Sequence, residues 1–234
     1  MHRHAQPMDY AEERAATLKR LRKLLDDVGS SKVTLIGDVM LDRFHHGYAN
    51  NLDSTAPVPV LKILRSEETP GAAAHIAMGL NSLGLQISLH CCVGDDREGR
   101  VIIEKLSEYG IDTSDIAVVS ERSTLTKIRF YGSRESLLEK SQILLQADRG
   151  PRENLPDGVC ETLTKQAMAS LRESCAIVLS DYDKGVLDTA GARALIDAAS
   201  DARLPVIMDP KLSGLDRSRG ADVVLFEKRG LDLL

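Results

Sequence analysis

Residues 34–44 read TLIGDVMLDRF: an apolar run, a glycine, and then two aspartates, Asp38 and Asp42, four positions apart. The run at 33–37 has the length and composition of a buried strand. An unpaired carboxylate is costly to bury, so each aspartate needs a partner. This stretch therefore predicts a core strand whose carboxyl end carries polar chemistry.

The rest of the chain alternates apolar strands with helix-like stretches. Strands are predicted at 87–93, 176–180, 205–209 and 222–226, and helices at 71–84, 96–109, 156–172 and 188–202. This alternation is typical of an α/β fold with a mostly parallel sheet covered on both faces. The segments 58–66 and 124–148 mix polar and apolar residues, which favours a small antiparallel flap with one wet face.

Residues 10–28 carry apolar side chains at helical spacing and are followed by Gly29. We expect an amphipathic helix that packs one face on a neighbour. The chain then divides into an N-terminal helical extension at 1–31 and one domain at 32–234. Within that domain the flap is placed at about 45–66 and 122–148.

Composition limits the function classes. The 234 residues include 30 basic and 35 acidic side chains, a formal charge of -5. No basic field would attract nucleic acid or an anionic membrane, so a small-molecule partner is expected. The four cysteines form no CxxC pair, which indicates reduced, packed thiols. No apolar segment approaches the ~18 residues that span a bilayer, and a cytoplasmic location is expected.

Polar residues follow three of the predicted strands: GDVMLD after the first, DYDKGVL after 176–180, and DPK at the end of 205–209. Ligands of open α/β sheets bind beyond the carboxyl ends of the strands. The sequence contains no GxGxxG dinucleotide-binding motif, no P-loop motif, and no Asp-x-Asp motif of one phosphatase class after the first strand. The adjacent His45 and His46, without an HExxH motif, do not indicate a metal site.

A binder of polyols fits these exits, because carboxylates accept hydrogen bonds from sugar hydroxyls. Seven segments, in colinear order from about 32 to about 225, resemble the ribokinase-like (phosphofructokinase B) sugar kinases. Within that family the resemblance is strongest to the branch that phosphorylates D-glycero-D-manno-heptose 7-phosphate. The segments are GDVMLDRF, APVPVLKI, TPGAAAHIAMGLNSLG, VGDDREG, TLTKIR, LSDYDKGVL and MDPK.

The resemblance implies a ribokinase-like three-layer sandwich that uses ATP and Mg²⁺. It also implies a homodimer formed through the flap around APVPV. The resemblance implies that five residues contact the sugar: Asp38, Asp42, Gly71, His75 and Asp181. It assigns Lys127, Arg129 and Lys184 to the phosphate of the sugar, where charge-assisted donors are needed. It puts Asp209 and Lys211 beside the phosphates of the nucleotide.

Departures from the family pattern change what is expected. Ala72 and His75 replace a glycine and an asparagine, and the residues at 51–55 lack the usual Arg-Ile-Ser-Pro-Glu. The 234 residues contain no Gly-Ala-Gly-Asp, the segment that by resemblance supplies the catalytic base and anion hole. We therefore expect a domain that is incomplete at its C-terminus, with no catalytic residue and no turnover of its own. A truncated sugar kinase and a non-catalytic sugar-phosphate or partner-binding module both remain open.

Overall fold

A six-stranded parallel sheet forms the core of the computed structural model, which describes residues 10–29, 31–133, 141–151 and 155–232. The helices are α1 (Tyr10–Val28), α2 (Ala73–Ser82), α3 (Arg97–Glu108), α4 (Val159–Ser170), α5 (Thr189–Asp201) and α6 (Lys228–Leu231). The strands are β1 (Lys32–Gly37), β2 (Val39–Leu52), β3 (Pro59–Ala72), β4 (Gln86–Gly94), β5 (Ile116–Val119), β6 (Thr126–Ser133), β7 (Gln142–Arg149), β8 (Ser174–Asp181), β9 (Val206–Pro210) and β10 (Val223–Val224).

The order of the core sheet is β10-β9-β8-β1-β4-β5, so β1 lies in its interior. Successive residues of β1 face opposite sides of the sheet. Leu35 packs in one buried cluster with α2 and α3, and Ile36 in a second with α4 and α5. Both side chains are fully buried. This three-layer arrangement confirms the α/β fold expected from the near-continuous apolar strands.

A second sheet, the flap, has the order β3-β2-β6-β7. The β2–β3 and β6–β7 pairs are antiparallel, while β2 and β6 are parallel. Only Asp38 separates β2 from β1, so the flap begins at the core instead of near 45 as predicted. Residues 134–140 of the predicted flap lie outside the described residues.

The start of α2 corrects one predicted boundary. Gly71 and Ala72 belong to β3, where Gly71 is paired with Met40, and the helix begins at Ala73. Ala72 adopts a left-handed φ of 54° as the chain turns from strand into helix. Gly71 was predicted to open this helix, and a strand-to-helix turn of this kind has no signature in spacing alone.

The α1 helix forms as predicted, but its predicted packing is wrong. None of its residues is buried, and Leu18, Leu21, Leu24 and Leu25 are each about half exposed. The described part of the chain therefore leaves the apolar face of α1 uncovered. Neither α1 nor any other described helix is both long and apolar enough to cross a membrane.

The cysteines only partly follow the prediction of packed thiols. All four are free, and Cys91 and Cys92 are buried in the core. Cys160 is partly buried. Cys175 is exposed, because it lies near the beginning of β8, before the strand enters the interior of the sheet.

Candidate functional site

A cleft of about 1050 Å³ lies between the flap and the carboxyl ends of β8 and β9. The flap contributes residues of β2, β6 and β7, and the core contributes the segments that follow β8, β9 and β10. This is the sheet edge at which ligands of α/β proteins bind. The charged residues that line the cleft are the cations Lys127, Arg149, Lys184 and Lys211 and the acids Asp148, Asp183, Asp209 and Glu227.

Two of the cations predicted to bind the sugar's phosphate, Lys127 and Lys184, line this cleft. They come from different layers, since Lys127 lies on β6 and Lys184 follows β8. An anion between them would contact both the flap and the core. Ammonium groups make charge-assisted hydrogen bonds to phosphate, so this arrangement suits a phosphorylated ligand.

Asp42 and Arg129 form an ion pair beside the cleft. The Arg129 Nη1 donates to Asp42 Oδ1 at 2.7 Å, and the guanidinium lies 5.3 Å from the centre of the Phe44 ring. In the register of the flap, Asp42 is opposite Lys127. Because residues opposite each other share one face of a sheet, Asp42 is on the face that presents Lys127 to the cleft. Both groups of the pair keep some solvent exposure.

Gly71 provides the space that the Asp42 carboxylate occupies. A Cβ at position 71 would lie 2.3 Å from Asp42 Oδ2 and 2.9 Å from Met40 Cγ. Real Cβ atoms do not approach other atoms so closely, so any side chain here would displace the carboxylate. Gly71 was predicted to let the sugar approach the backbone. The observed neighbour of its missing side chain is Asp42.

Asp38 is bonded to the backbone of the segment after β8. Its carboxylate is buried and accepts hydrogen bonds from the backbone N–H groups of Tyr182, Lys184 and Val186, at 2.9, 3.1 and 3.3 Å. Burial raises the pKa of Asp38 to about 6, although these N–H groups oppose the rise. Asp38 therefore organises the segment after β8 and does not line the large cleft.

Asp181 is also bonded to other groups of the protein. Its side chain is fully buried, and Arg217 Nη1 donates to its Oδ2 at 2.8 Å. Its Oδ1 accepts the backbone N–H of Asp183. His75, which was also predicted to contact the sugar, is exposed on the first turn of α2 and does not line the cleft.

Asp209 and Lys211, predicted to lie near a nucleotide, both line the cleft. Burial raises the pKa of Asp209; the charge of Lys211 lowers it and that of Glu227 raises it. The Lys211 Nζ lies 4.3 Å from the centre of the Tyr182 ring. Lys211 can therefore offer a cation to a phosphate at this end of the cleft. Among the described residues no group of three or more His, Cys, Asp and Glu side chains could hold a metal ion.

Sequence reasoning missed three residues of this region. Arg149 lines the cleft but falls just after the predicted end of the flap at 148. Tyr182 lies inside the recognised LSDYDKGVL segment, where its role had no separate signal. Arg217 belongs to no strand, helix or motif identified from the sequence.

The family comparison covers most of the chain. Residues 30–230 match the family described as pfkB family carbohydrate kinase. The D-beta-D-heptose 7-phosphate kinase of Bordetella bronchiseptica is 35% identical over 197 residues, 84% of this chain and 59% of that protein. The bifunctional protein HldE of Yersinia pseudotuberculosis is 37% identical over 205 residues, 87% of this chain and 40% of that protein. The chain thus spans 59% and 40% of the length of these two relatives.

A solved structure supports the fold independently of close sequence similarity. Arabidopsis thaliana ribokinase complexed with ribose and ATP aligns with a TM-score of 0.53 at 15% sequence identity. The alignment covers 77% of this chain and 53% of that one. The similarity shows that the core sheet and its helices have the ribokinase-like arrangement.

Proposed function

Because the chain belongs to the pfkB family of carbohydrate kinases, we propose that its cleft binds a sugar phosphate, specifically a heptose 7-phosphate. The observation that carries this proposal is the convergence of Lys127, Arg149 and Lys184 on one cleft, beside the carboxylate of Asp42. The cations suit a phosphate, and the carboxylate suits the hydroxyls of a sugar. The relative named as a D-beta-D-heptose 7-phosphate kinase, at 35% identity, favours the heptose over other sugars.

On this proposal, the sugar hydroxyls would share the Asp42 carboxylate with Arg129. The present ion pair keeps the carboxylate oriented while satisfying its charge, at 2.7 Å. A sugar hydroxyl donating to the second oxygen, Oδ2, could add to the pair without breaking it. Gly71 lets Oδ2 take this position, since the oxygen lies where a side chain at position 71 would be.

The end of the cleft near Lys211 is assigned to a nucleotide, again from the charges of the residues that line it. The ribokinase relative was solved with ATP, and we propose that Lys211 meets the nucleotide phosphates here, with Asp209 beside them. When bound, ATP supplies the phosphoryl group, and Mg²⁺ offsets its negative charge. The acids Asp209 and Glu227 lie in the same cleft and would face that cation.

We propose binding without turnover for these 234 residues, which contain no Gly-Ala-Gly-Asp. A positioned general base contributes about 10² to 10⁴ in rate, and an anion hole about 10² to 10³ more. Without either element, phosphoryl transfer would be too slow to measure. ATP-dependent formation of a heptose bisphosphate by the purified chain, abolished by Lys127→Ala, would contradict this part of the proposal.

Isothermal titration of the chain with heptose 7-phosphate tests the binding. Lys127→Ala should weaken binding by about 1.5 to 3 kcal/mol, the range for hydrogen bonds to charged groups. Lys62→Ala is the matched control, because Lys62 is an exposed lysine of the same sheet that does not line the cleft. The unphosphorylated heptose should bind more weakly than its 7-phosphate. Equal affinity for both sugars, or equal effects of both variants, would refute the assignment.

We also propose that the flap joins two copies of the chain. Exposed apolar side chains lie on its two outer strands, β3 and β7, and directly before β3. They are Val58, Val60, Ile63, Leu64, Ile143 and Leu145. Contiguous exposed apolar surface on a folded protein usually marks a contact site.

A further inference from the structure

The segment 182–187, which follows β8, is held by three separate parts of the fold. From the link between β1 and β2, the Asp38 carboxylate accepts three of its backbone N–H groups. From the loop after β5, the buried Arg122 donates through Nη2 to the carbonyl oxygen of Lys184. From the 3-10 segment Leu212–Ser218, Arg217 reaches the side chains at the start of the segment.

The contacts of Arg217 are bidentate and divided between two acids. Nη1 donates to Asp181 Oδ2 and Nη2 to Asp183 Oδ1, each at 2.8 Å. The hydroxyl of Ser213 and the guanidinium of Arg217 lower the pKa of Asp183. A Cβ at Gly214 would lie 2.4 Å from Asp181 Oδ2, so the 3-10 segment packs directly on the acid. The fork of the guanidinium thus fixes the distance between Asp181 and Asp183.

The backbone between these acids and the cleft is in an uncommon conformation. Asp183 has a left-handed φ of 56° and Gly185 a φ of 100°. Side chains other than glycine rarely adopt such values, and they persist where surrounding contacts enforce them. The enforced turn exposes Tyr182, Asp183 and Lys184 to the cleft.

Arg217 itself is not part of the cleft lining. Its side chain is largely buried, with both terminal nitrogens engaged by carboxylates. A ligand in the cleft would meet Lys184, whose carbonyl is held by Arg122 and whose N–H is held by Asp38. Any effect of Arg217 on binding must therefore pass through this segment.

We propose that Arg217 is a positioning residue, which holds the 182–187 segment so that Lys184 is already oriented toward a ligand phosphate. The inference rests on the proposed function for the identity of the ligand. The positioning role itself requires only that Lys184 binds an anion. Fixing the backbone that carries Lys184 before binding reduces the entropy lost on binding, which strengthens affinity.

A double-mutant cycle tests the proposal, with inorganic phosphate and heptose 7-phosphate as separate probes. Lys184→Ala should weaken binding about tenfold or more, as expected for a lost hydrogen bond to a charged group. Arg217→Ala should weaken it about three- to tenfold in the wild-type chain. In the Lys184→Ala background the same change should alter affinity by less than about twofold, because the group it positions is gone.

Three further variants separate positioning from stability. Arg219→Ala is the matched control, because Arg219 lies just after the same 3-10 segment in an exposed pair with Asp216 and should have no effect. Asp183→Asn removes the partner of Nη2, leaves the buried Asp181 contact and serves if Arg217→Ala fails to fold. Because Asp183 also lines the cleft, only the loss that disappears in the Lys184→Ala background reports positioning. Arg217→Lys should recover less than half of the affinity, since one ammonium cannot span both acids.

The outcomes are distinct. Equal losses from Arg217→Ala in the presence and absence of Lys184 would overturn the positioning role, as would unchanged affinity in both Arg217→Ala and Asp183→Asn. Phosphate binding with the expected cycle, but no binding of heptose 7-phosphate, would refute the proposed function alone. A wild-type chain that binds neither probe would overturn both.

Discussion

Asp38 is a single residue that belongs to neither sheet and yet controls the geometry between them. It lies between the last residue of β1 and the first of β2. Its buried carboxylate faces three N–H groups, and burial still raises its pKa from 3.8 to about 6. An acid whose pKa is raised on folding binds its proton more tightly in the folded state. Its contribution to stability is complete below pH 3.8 and decreases as the pH rises through about 6.

Because folding raises the pKa of Asp38, its contribution to the free energy of unfolding decreases as the pH rises. Relative to Asp38→Asn, the wild-type chain should lose about 3 kcal/mol of unfolding free energy over the whole titration, of which about 2 kcal/mol falls between pH 4 and pH 7, at ~1.4 kcal/mol per pKa unit. Urea denaturation of both proteins at several pH values measures the difference. Other acids titrate equally in both proteins and cancel. A wild-type chain that gains stability over the variant as the pH rises would show that the pKa of Asp38 is lowered instead.

Gly71 gives a second prediction for a single residue. Gly71→Ala should displace the Asp42 carboxylate, because the new Cβ would lie 2.3 Å from Oδ2. Affinity for heptose 7-phosphate should fall about tenfold or more, since hydrogen bonds to charged groups contribute ~1.5–3 kcal/mol. Gly79→Ala is the control, because a Cβ there meets nothing within 4 Å on the exposed side of α2. Titration in which both alanines bind as the wild type does would remove Asp42 from the site.

Among the elements, the flap is fastened to α3 by a network of charges. Arg43 on β2 donates to Glu68 and to Glu98, both at 2.7 Å. Arg97 also contacts Glu68, and Arg149, which lines the cleft, lies 3.5 Å from Glu98. Glu98 is buried on α3. The network joins two strands of the flap and the end of a third to one helix of the core.

Removing the centre of this network should destabilise the fold. Arg43→Ala leaves Glu98 buried with weaker partners, and breaking a buried pair costs about 3 to 5 kcal/mol. Arg97 and Arg149 remain nearby, so we expect a loss of about 2 to 3 kcal/mol in urea unfolding. Arg65→Ala breaks an exposed pair with Glu67 on the same sheet and should cost less than about 0.5 kcal/mol. Similar losses from both variants would mean that the network does not hold the flap.

For the α1 helix, in contrast, we expect a substitution to have little effect on stability. Leu21→Gln should change the free energy of unfolding by less than about 0.5 kcal/mol, because α1 buries no residue in the described structure. Leu195→Ala, in the fully buried face of α5, should cost about 2 to 5 kcal/mol. Thermal or urea unfolding compares the two. A large loss from Leu21→Gln would show that α1 packs on a surface of the protein.

The helices and strands also show which features of the fold could be predicted from the sequence. Apolar runs fixed the core strands because burial on both faces leaves little choice of residue. The periodicity of α1 identified its apolar face but contained no information on what covers it. The Asp42–Arg129 pair joins residues 87 positions apart, and the contacts of Asp38 join residues up to 148 apart. Such partners depend on the register of whole strands, so the sequence predicted the cleft better than the roles of the residues around it.

At the scale of the whole molecule, the prediction is association through the flap. In analytical ultracentrifugation the chain should sediment as a dimer, and Val60→Glu should shift it toward a monomer. A charge in an apolar interface must lose its hydration without gaining a partner. Leu21→Glu places the same charge on α1 and serves as the control. If Leu21→Glu separates the copies and Val60→Glu does not, the flap is not the interface.

β1 is the first core strand to be synthesised, and it lies in the interior of the sheet. It pairs with β4 on one side and with β8 on the other, where Thr34 and Ser174 are 140 residues apart. At ~5–20 residues per second, roughly 7 to 28 s pass on the ribosome before β8 emerges. Throughout that interval one edge of β1 has no partner, next to apolar side chains that are fully buried in the folded chain. Open strand edges recruit other chains. Aggregation therefore threatens this protein most during translation, and a chaperone that shields nascent chains should raise its yield more than one that acts on the finished fold.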